Sequence, residues 1–150
     1  SMIITHLRGE EDMINFMKSP FAAFETDSSP SAPYGDTSRS LIHPRTYGTY
    51  PKILGEFVRE KKILSLEDAI RKSTSLPAQM AGILDRGILR PKNWADIVIF
   101  NPDTIIDTAT YANPHQYPIG VEYVLVNGKI VVQKEEHTKL LPGKVLRKIK

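Results

Sequence analysis

The amino-terminal part of the chain passes from a helical to an extended pattern of apolar residues. Met13, Phe16 and Met17 recur at i, i+3 and i+4 within residues 10–18, which places them on one face of a helix. A proline then ends this pattern. The apolar and aromatic run at residues 21–26 is typical of a short buried strand.

Residues 27–49 have a different composition, rich in Ser, Pro, Gly and Thr. The prolines in this stretch exclude a long helix or a continuous strand ladder. A loop of this length in a compact domain is usually either a binding element or disordered. Both interpretations apply to this segment.

Three helices are predicted after the loop. Thr49 as N-cap, with Pro51 near the first helical position, starts a helix that ends at about residue 60. Ser65 is followed three residues later by an acidic side chain, which resembles a capping box at the start of a second helix. Residues 77–82 predict one further short helical turn closed by a glycine.

The carboxyl-terminal part is predicted to be rich in β-structure. Residues 95–100 form an extended apolar run, and residues 121–126 and 129–133 flank Asn127-Gly128. Asn-Gly is the favoured dipeptide of a tight two-residue hairpin. The pattern therefore predicts one strand followed by a hairpin.

Composition limits the class of protein. The 150 residues, 41% hydrophobic and 25% charged, suffice for one ordinary globular unit. The net charge of +3 is small, and the basic tail is typical of a solvated terminus. No nucleic-acid partner is expected.

Cysteine content and hydropathy exclude further classes. The chain has no cysteine, so a metal site would need His, Asp or Glu ligands. No apolar run approaches the roughly 20 residues that span a bilayer, and no secretion signal is visible. We expect no membrane partner and a cytoplasmic location.

Asp27, His43 and Arg45 are the candidate functional residues. Asp27 follows the predicted strand at 21–26, where a carboxylate is either a cap of the next loop or a catalytic group. If that strand belongs to a barrel of parallel strands and helices, catalytic side chains collect at its carboxyl end. Arg45 could bind a carboxylate ligand beside His43, or hold the loop through carbonyl groups.

Several short motifs follow one another between Thr26 and Arg147. They are Thr26-Asp27-Ser28, His43-Pro44-Arg45-Thr46-Tyr47-Gly48-Thr49-Tyr50-Pro51, Leu64-Ser65-Leu66-Glu67-Asp68-Ala69-Ile70, Thr74-Ser75-Leu76-Pro77-Ala78, Ala95-Asp96-Ile97-Val98-Ile99-Phe100, Pro114-His115-Gln116-Tyr117-Pro118 and Val124-Leu125-Val126-Asn127-Gly128. In this order they resemble the carboxyl-terminal portion of the N-acyl-D-amino-acid deacylases, or D-aminoacylases, of the amidohydrolase superfamily.

The resemblance implies a mixed α/β fold class that is an incomplete amidohydrolase fragment. Residues 2–90 would supply the last strand, the long loop and the flanking helices of a metal-bearing (β/α)8 barrel. Residues 91–150 would supply the carboxyl-terminal portion of a small β-sandwich.

The same resemblance implies hydrolysis of the amide bond of a small N-acyl-D-amino acid by a zinc enzyme. Asp27 matches the aspartate that contacts the zinc-bound water and moves its proton. It would contact a metal only if the missing barrel ligands are supplied. Zn²⁺ lowers the pKa of bound water to about 7, so a nearby carboxylate can accept its proton. His43 and Arg45 are the expected substrate contacts.

The chain departs from the family pattern in two ways. The family's histidine ligands and bridging ligand lie upstream of the matched region, and no residue here matches them. We therefore expect the chain alone to bind no zinc and to be inactive. Ser28 stands where relatives usually have glycine, which changes the geometry of the loop after Asp27.

A lone barrel strand leaves unpaired edges and apolar faces. We therefore expect a homo-oligomer, specifically a dimer, or association with a complementary upstream barrel fragment. One alternative is a non-catalytic, self-associating interaction module that kept the carboxyl-terminal scaffold. Another is an independent small hydrolase that uses Asp27, His43 and Arg45 at a dimer interface.

Overall fold

The structure, a computed structural model, describes residues 9–147. Their elements are α1 (Glu10–Lys18), a 3₁₀ turn (Asp36–Arg39), α2 (Arg45–Lys52) continued by a π-helical segment (Ile53–Glu60), α3 (Leu66–Ser73), α4 (Ser75–Met80), and strands β1 (Ile97–Phe100), β2 (Val121–Val126), β3 (Lys129–Gln133) and β4 (Glu136–His137). Residues 2–8 and 148–150 of the two predicted units lie outside the described residues. The division between the units at residue 90 stays a prediction.

The predicted amino-terminal helix is confirmed as α1. Its apolar face buries Met17, which packs in one core with Ile53, Phe57 and Ala69. The core therefore joins α1, the π-helical segment and α3. None of the helices within residues 9–147 has both the length and the apolar character needed to cross a bilayer.

Lys72 of α3 is fully buried beside this core. Its ammonium group donates to the carbonyl oxygen of Met17 and pairs with Asp68 at 3.0 Å. A buried charge is tolerated only when it is paired and hydrogen-bonded, and both conditions hold here. Lys72 thereby fixes the end of α1 against α3.

The strand predicted at residues 21–26 is wrong for this structure. The segment forms no ladder, and it is tied to α3 by one backbone hydrogen bond, from Phe24 N–H to the Lys72 carbonyl at 2.9 Å. A parallel barrel strand is stable only between neighbouring strands, and residues 9–147 place none beside it. Phe24 of this run packs on the helical core instead.

The helix predicted to start at Thr49 begins four residues earlier, at Arg45. Pro44 is its N-cap, and the Tyr47 and Gly48 N–H groups donate back to the Pro44 carbonyl. The predicted loop is correspondingly shorter. Pro51 lies inside the helix, where it lacks an N–H to donate, and the wider π spacing starts two residues later.

The other two predicted helices are present. Ser65 caps α3 by accepting a hydrogen bond from Asp68 N–H at 3.2 Å, as the capping-box spacing predicts. Helix α4 starts at Ser75, two residues before the predicted turn. Gly82 follows it with φ +72°, a conformation that favours glycine at a helix end.

The four described strands form one open antiparallel sheet in the order β1-β2-β3-β4. The predicted hairpin is confirmed: Asn127 and Gly128 have φ of +49° and +76°, as a type I′ turn requires. Strand β4 was not predicted. The turn that leads into it has Lys134 and Glu135 at positive φ, so it carries no glycine or asparagine signal.

Ile105 joins the helices to the sheet region and is 1% exposed. The π-helical segment approaches it at Gly55, where an added Cβ would lie 2.5 Å from the Ile105 carbonyl oxygen. At Gly120, which has φ +87°, an added Cβ would lie 2.7 Å from the Ile105 backbone nitrogen and Cα. Arg59 donates to the Ile105 carbonyl at 2.6 Å. Glycine is therefore required where the backbones meet.

The substitution Gly55→Ala is expected to lower the free energy of unfolding by about 1–2 kcal/mol. Overpacking costs about 1–3 kcal/mol, because the Ile105 backbone cannot move aside as a side chain would. The better helix propensity of alanine, up to about 1 kcal/mol, offsets part of this loss. Urea unfolding followed by circular dichroism measures the change.

Gly143→Ala is the matched control, because nothing lies within 4 Å of a Cβ added there. We expect it to change stability by less than about 0.5 kcal/mol. Equal effects of the two substitutions would contradict the close approach at Gly55.

Candidate active-site cleft

A cleft of about 520 Å³ lies where the start of α2 faces α1 and the segment 107–111. His43 and Arg45, both predicted from the sequence, line it. Asp107 and Tyr111, from the carboxyl-terminal part, line the same wall. The fold therefore brings the predicted loop residues together with polar groups more than 60 positions away.

Asp27 lies beside this cleft and is not among the residues that line it. It follows no strand, its side chain is 77% exposed, and it has φ +46°. The carboxylate pairs with Arg45 Nη2 at 2.9 Å. The expectation that Asp27 ends a buried strand is therefore wrong for this structure, because the segment before it has no strand neighbours.

Arg45 connects Asp27 to the cleft. Its side chain is 44% exposed, so the ion pair is screened by solvent and contributes less than about 1 kcal/mol to stability. The next residues of both segments also meet, since the Ser28 and Thr46 hydroxyls lie 2.5 Å apart. Asp27 is thus held near the cleft by contacts that contribute little to folding.

His43 makes contacts through both ring nitrogens. Its Nδ1 accepts a hydrogen bond from the backbone N–H of Arg45 at 3.0 Å, and its Nε2 lies 3.3 Å from the Tyr111 hydroxyl. The two rings meet edge to face, with centroids 5.1 Å apart. His43 therefore joins the start of α2 to the segment that carries Asp107.

Asp107 packs against the α2 backbone at Gly48, where an added Cβ would be 3.1 Å from the Asp107 Cβ. Burial raises the pKa of the Asp107 carboxyl above its ordinary value, and the charge of Lys52 opposes this shift. Lys52 and Asp107 both line the cleft. The cleft wall therefore combines cationic groups with a carboxyl that ionises less readily than usual.

Two further histidine–tyrosine pairs fasten the loop to the carboxyl-terminal part. His115 Nε2 donates to the Ser40 carbonyl at 2.9 Å, which leaves Nδ1 to accept from the Tyr47 hydroxyl at 3.3 Å. Tyr34 lies 3.0 Å from Nδ1 of His137 in β4. Side-chain contacts therefore join the predicted loop to the carboxyl-terminal part at Tyr34, Ser40 and Tyr47.

The described residues do not fit a complete metal centre. Within residues 9–147 no three or more His, Cys, Asp or Glu side chains cluster as metal ligands would. Asp27 has Arg45 as its ion-pair partner. A metal near Asp27 would need ligands beyond those that residues 9–147 place there.

Sequence reasoning missed Asp107 and Tyr111. Asp107 follows two isoleucines, so its sequence neighbourhood indicates packing and not a polar site. One usable signal was Gly48, a glycine within a helix, which marks a close approach by another part of the chain. The identity of that approaching part depends on the fold.

Comparison with a family model gives a match over residues 26–132, to the family described as the amidohydrolase family. This interval contains the loop, α2, most of the residues that line the cleft and most of the sheet.

Two curated relatives come from Alcaligenes xylosoxydans xylosoxydans. An N-acyl-D-glutamate deacylase is 43% identical over 106 residues, which cover 71% of this chain and 22% of the relative. An N-acyl-D-aspartate deacylase is 37% identical over 143 residues, which cover 95% of this chain and 27% of the relative. The chain therefore spans about a quarter of the length of these relatives.

Two solved structures are similar in backbone. A D-aminoacylase with a binuclear metal centre aligns with a TM-score of 0.65 at 37% identity, covering 67% of this chain and 21% of that chain. The second structure is the N-acyl-D-glutamate deacylase from Bordetella bronchiseptica, complexed with zinc and a phosphonate inhibitor. It aligns with a TM-score of 0.60 at 44% identity, covering 61% of this chain and 19% of that chain.

The pKa shift at Asp107 predicts a pH-dependent effect of Asp107→Asn. A raised pKa in the folded state means that burial penalises the charged form, so the penalty is present at neutral pH and absent in acid. We expect the variant to gain stability relative to the unmodified protein as the pH rises from about 3 to 7. Urea unfolding across this range measures the difference.

Glu67→Gln is the control of opposite sign. A hydrogen bond from its own backbone N–H, and then one from Ser65, lowers the pKa of Glu67. Its stabilising effect is therefore lost in acid, and the control should lose stability relative to the unmodified protein as the pH rises. A pH-independent effect of Asp107→Asn would contradict the burial of Asp107.

Proposed function

Because the chain belongs to the amidohydrolase family, we propose that it forms the carboxyl-terminal part of a metal-dependent hydrolase that cleaves the amide bond of N-acyl-D-amino acids. The observation that carries this proposal is the pairing of Asp27 with Arg45, which lines the cleft, at 2.9 Å. This pairing sets a proton-accepting carboxylate beside a carboxylate-binding guanidinium. Similarity to the N-acyl-D-glutamate and N-acyl-D-aspartate deacylases supports the substrate class.

Arg45 is the proposed contact for the free carboxylate of the substrate. Its planar fork matches a carboxylate in two parallel hydrogen bonds, and Asp27 already occupies part of that fork in the structure. Lys52 in the same wall adds positive charge that would favour an anionic substrate. His43 lies beside Arg45 in the lining of the same cleft.

Asp27 is the proposed proton acceptor in amide hydrolysis. A general base must come within hydrogen-bond reach of the proton that it removes. The Asp27 carboxylate is exposed and held by a solvent-screened ion pair, so it can exchange Arg45 for another partner at little cost. Substrate binding to Arg45 would compete with the ion pair and release the Asp27 carboxylate. Arg45 would first bind the substrate carboxylate, and the released Asp27 carboxylate would then accept the proton.

The chain alone is proposed to be inactive and to bind no zinc. Two observations support this: residues 9–147 lack a cluster of metal ligands, and the chain spans about a quarter of its relatives. The metal named for the relatives would be held by an upstream barrel fragment. That fragment would belong either to the same polypeptide or to a separate one. We propose a cytoplasmic location for the assembled enzyme.

A chimera tests this proposal directly. In the chimera, this chain takes the place of the matching segment of the N-acyl-D-glutamate deacylase from Alcaligenes xylosoxydans xylosoxydans. We expect the chimera to hydrolyse N-acetyl-D-glutamate. Asp27→Asn should lower kcat by at least about 100-fold, the usual contribution of a general base. Amino-acid release measures turnover, and metal analysis measures zinc content.

Asp36→Asn in the same loop is the control and should leave kcat unchanged within about twofold, as expected for a surface position. A folded, zinc-loaded chimera without turnover would refute the proposal. So would about one tightly bound zinc per isolated chain. Asp27→Asn should fold normally, because asparagine tolerates the positive φ at this position.

A second candidate function is a non-catalytic, self-associating interaction module that kept the carboxyl-terminal scaffold. Large apolar side chains on the described surface favour it: Phe21 is 83% exposed and Leu41 is 77% exposed. Exposed apolar side chains of this size lose water-accessible area when another chain covers them, which favours association. A dimer would cover such side chains by symmetry.

Size-exclusion chromatography with light scattering tests self-association of the isolated chain. We expect a dimer, and we expect Phe21→Ser with Leu41→Ser to shift the mass to that of a monomer, because the substitutions remove apolar interface area. Glu122→Ser, at an exposed polar position of β2, is the control. A monomeric unmodified protein would contradict this function.

A further inference from the structure

We propose that His43 is a positioning residue that acts through Arg45, rather than a direct substrate contact. This inference rests on the proposed function, because it assigns His43 a task in the same cleft. His43 lines the cleft, but its ring is held between the start of α2 and Tyr111. The result is a fixed direction for the Arg45 side chain.

The contacts select one tautomer of the His43 ring. Nδ1 accepts the Arg45 backbone N–H, so it carries no proton in the neutral ring. The proton then lies on Nε2, which donates to the Tyr111 hydroxyl oxygen. The edge-to-face arrangement of the two rings stabilises the same orientation.

The Arg45 N–H belongs to the first turn of α2 and has no partner within the helix. Pro44 precedes it as N-cap and offers no side-chain hydrogen bond. The His43 ring, two residues upstream, therefore performs the capping that an Asn or Ser side chain usually performs. This cap fixes where the helix begins.

The direction of the Arg45 side chain follows from this start. Arg45 is the first residue of α2, and its guanidinium reaches Asp27 Oδ2. A connected set of contacts thus runs from Tyr111 through His43 and Arg45 to Asp27. The carboxyl-terminal part of the chain thereby positions the candidate catalytic carboxylate without touching it.

A direct substrate contact by His43 would require one ring nitrogen to leave its present partner. Loss of the Nδ1 contact would uncap α2, and loss of the Nε2 contact would separate the loop from Tyr111. Arg45, in contrast, can exchange an exposed carboxylate partner at little cost. The geometry therefore assigns substrate binding to Arg45 and its support to His43.

Nuclear magnetic resonance of the isolated chain tests this role without any turnover. Long-range ¹H–¹⁵N correlations report the tautomer of His43, and we expect the proton on Nε2. Tyr111→Phe keeps the ring but removes the hydroxyl, so it should shift His43 towards a mixture of tautomers. A proton on Nδ1 in the unmodified protein would overturn the proposal.

Two substitutions at position 43 separate positioning from general packing. His43→Ala removes the cap, so hydrogen exchange at the Arg45 amide should rise about fivefold, the size expected for loss of one cap. His43→Asn restores an acceptor two residues before Arg45 and should return exchange to within about twofold. Equal exchange in both variants would overturn the proposal.

The chimera adds a functional measurement. His43→Ala should lower kcat/KM for N-acetyl-D-glutamate by about fivefold, and His43→Asn should restore most of it, because Arg45 is aimed correctly again. A loss that asparagine does not restore would refute positioning and indicate direct contact. If the chimera is inactive, the proposed function fails, whereas the tautomer and exchange results still decide the role of His43.

Discussion

The close contact between the helix that starts at Arg45 and residues 105–107 is the constraint on which the rest of the structure depends. It is possible because Gly55 presents no side chain to the Ile105 backbone, and Gly48, about two helical turns earlier, presents none to the Asp107 side chain. Arg59 completes the contact through the Ile105 carbonyl. Ile105 is buried, and a buried carbonyl without a hydrogen-bond partner destabilises the fold. The Arg59 guanidinium supplies that partner, and the two glycines leave room for the close approach.

This contact determines what the cleft contains. Once residues 105–107 lie along the helix, Asp107 and Tyr111 are carried to the start of α2 and face the loop that bears Asp27. Histidine–tyrosine pairs then hold the loop at several points along its length. A segment rich in proline and serine, which has little tendency to form regular structure, is thereby fixed in place by side chains.

Membership of the amidohydrolase family and the short span of the chain relative to its relatives give these features a common explanation. The described part has an ordered cleft wall with a carboxylate, a guanidinium and an ammonium group, but it lacks a cluster of metal ligands. These features agree with the proposal that an upstream barrel fragment supplies the opposite side of the cleft. The exposed apolar side chains of the same part are then available for that association.

The sequence alone determined the elements whose stability is local: α1, the cap of α3 at Ser65, and the Asn127-Gly128 hairpin, since each depends on residues within a few positions of one another. It also identified the loop with Asp27 and Arg45, although their roles stay predictions. Only the tertiary structure decided the rest. Residues 21–26 are not a strand because a ladder needs neighbours that the described chain does not place there. Asp107 entered the cleft through a long-range contact, and such contacts depend on how distant segments pack, which no local pattern specifies.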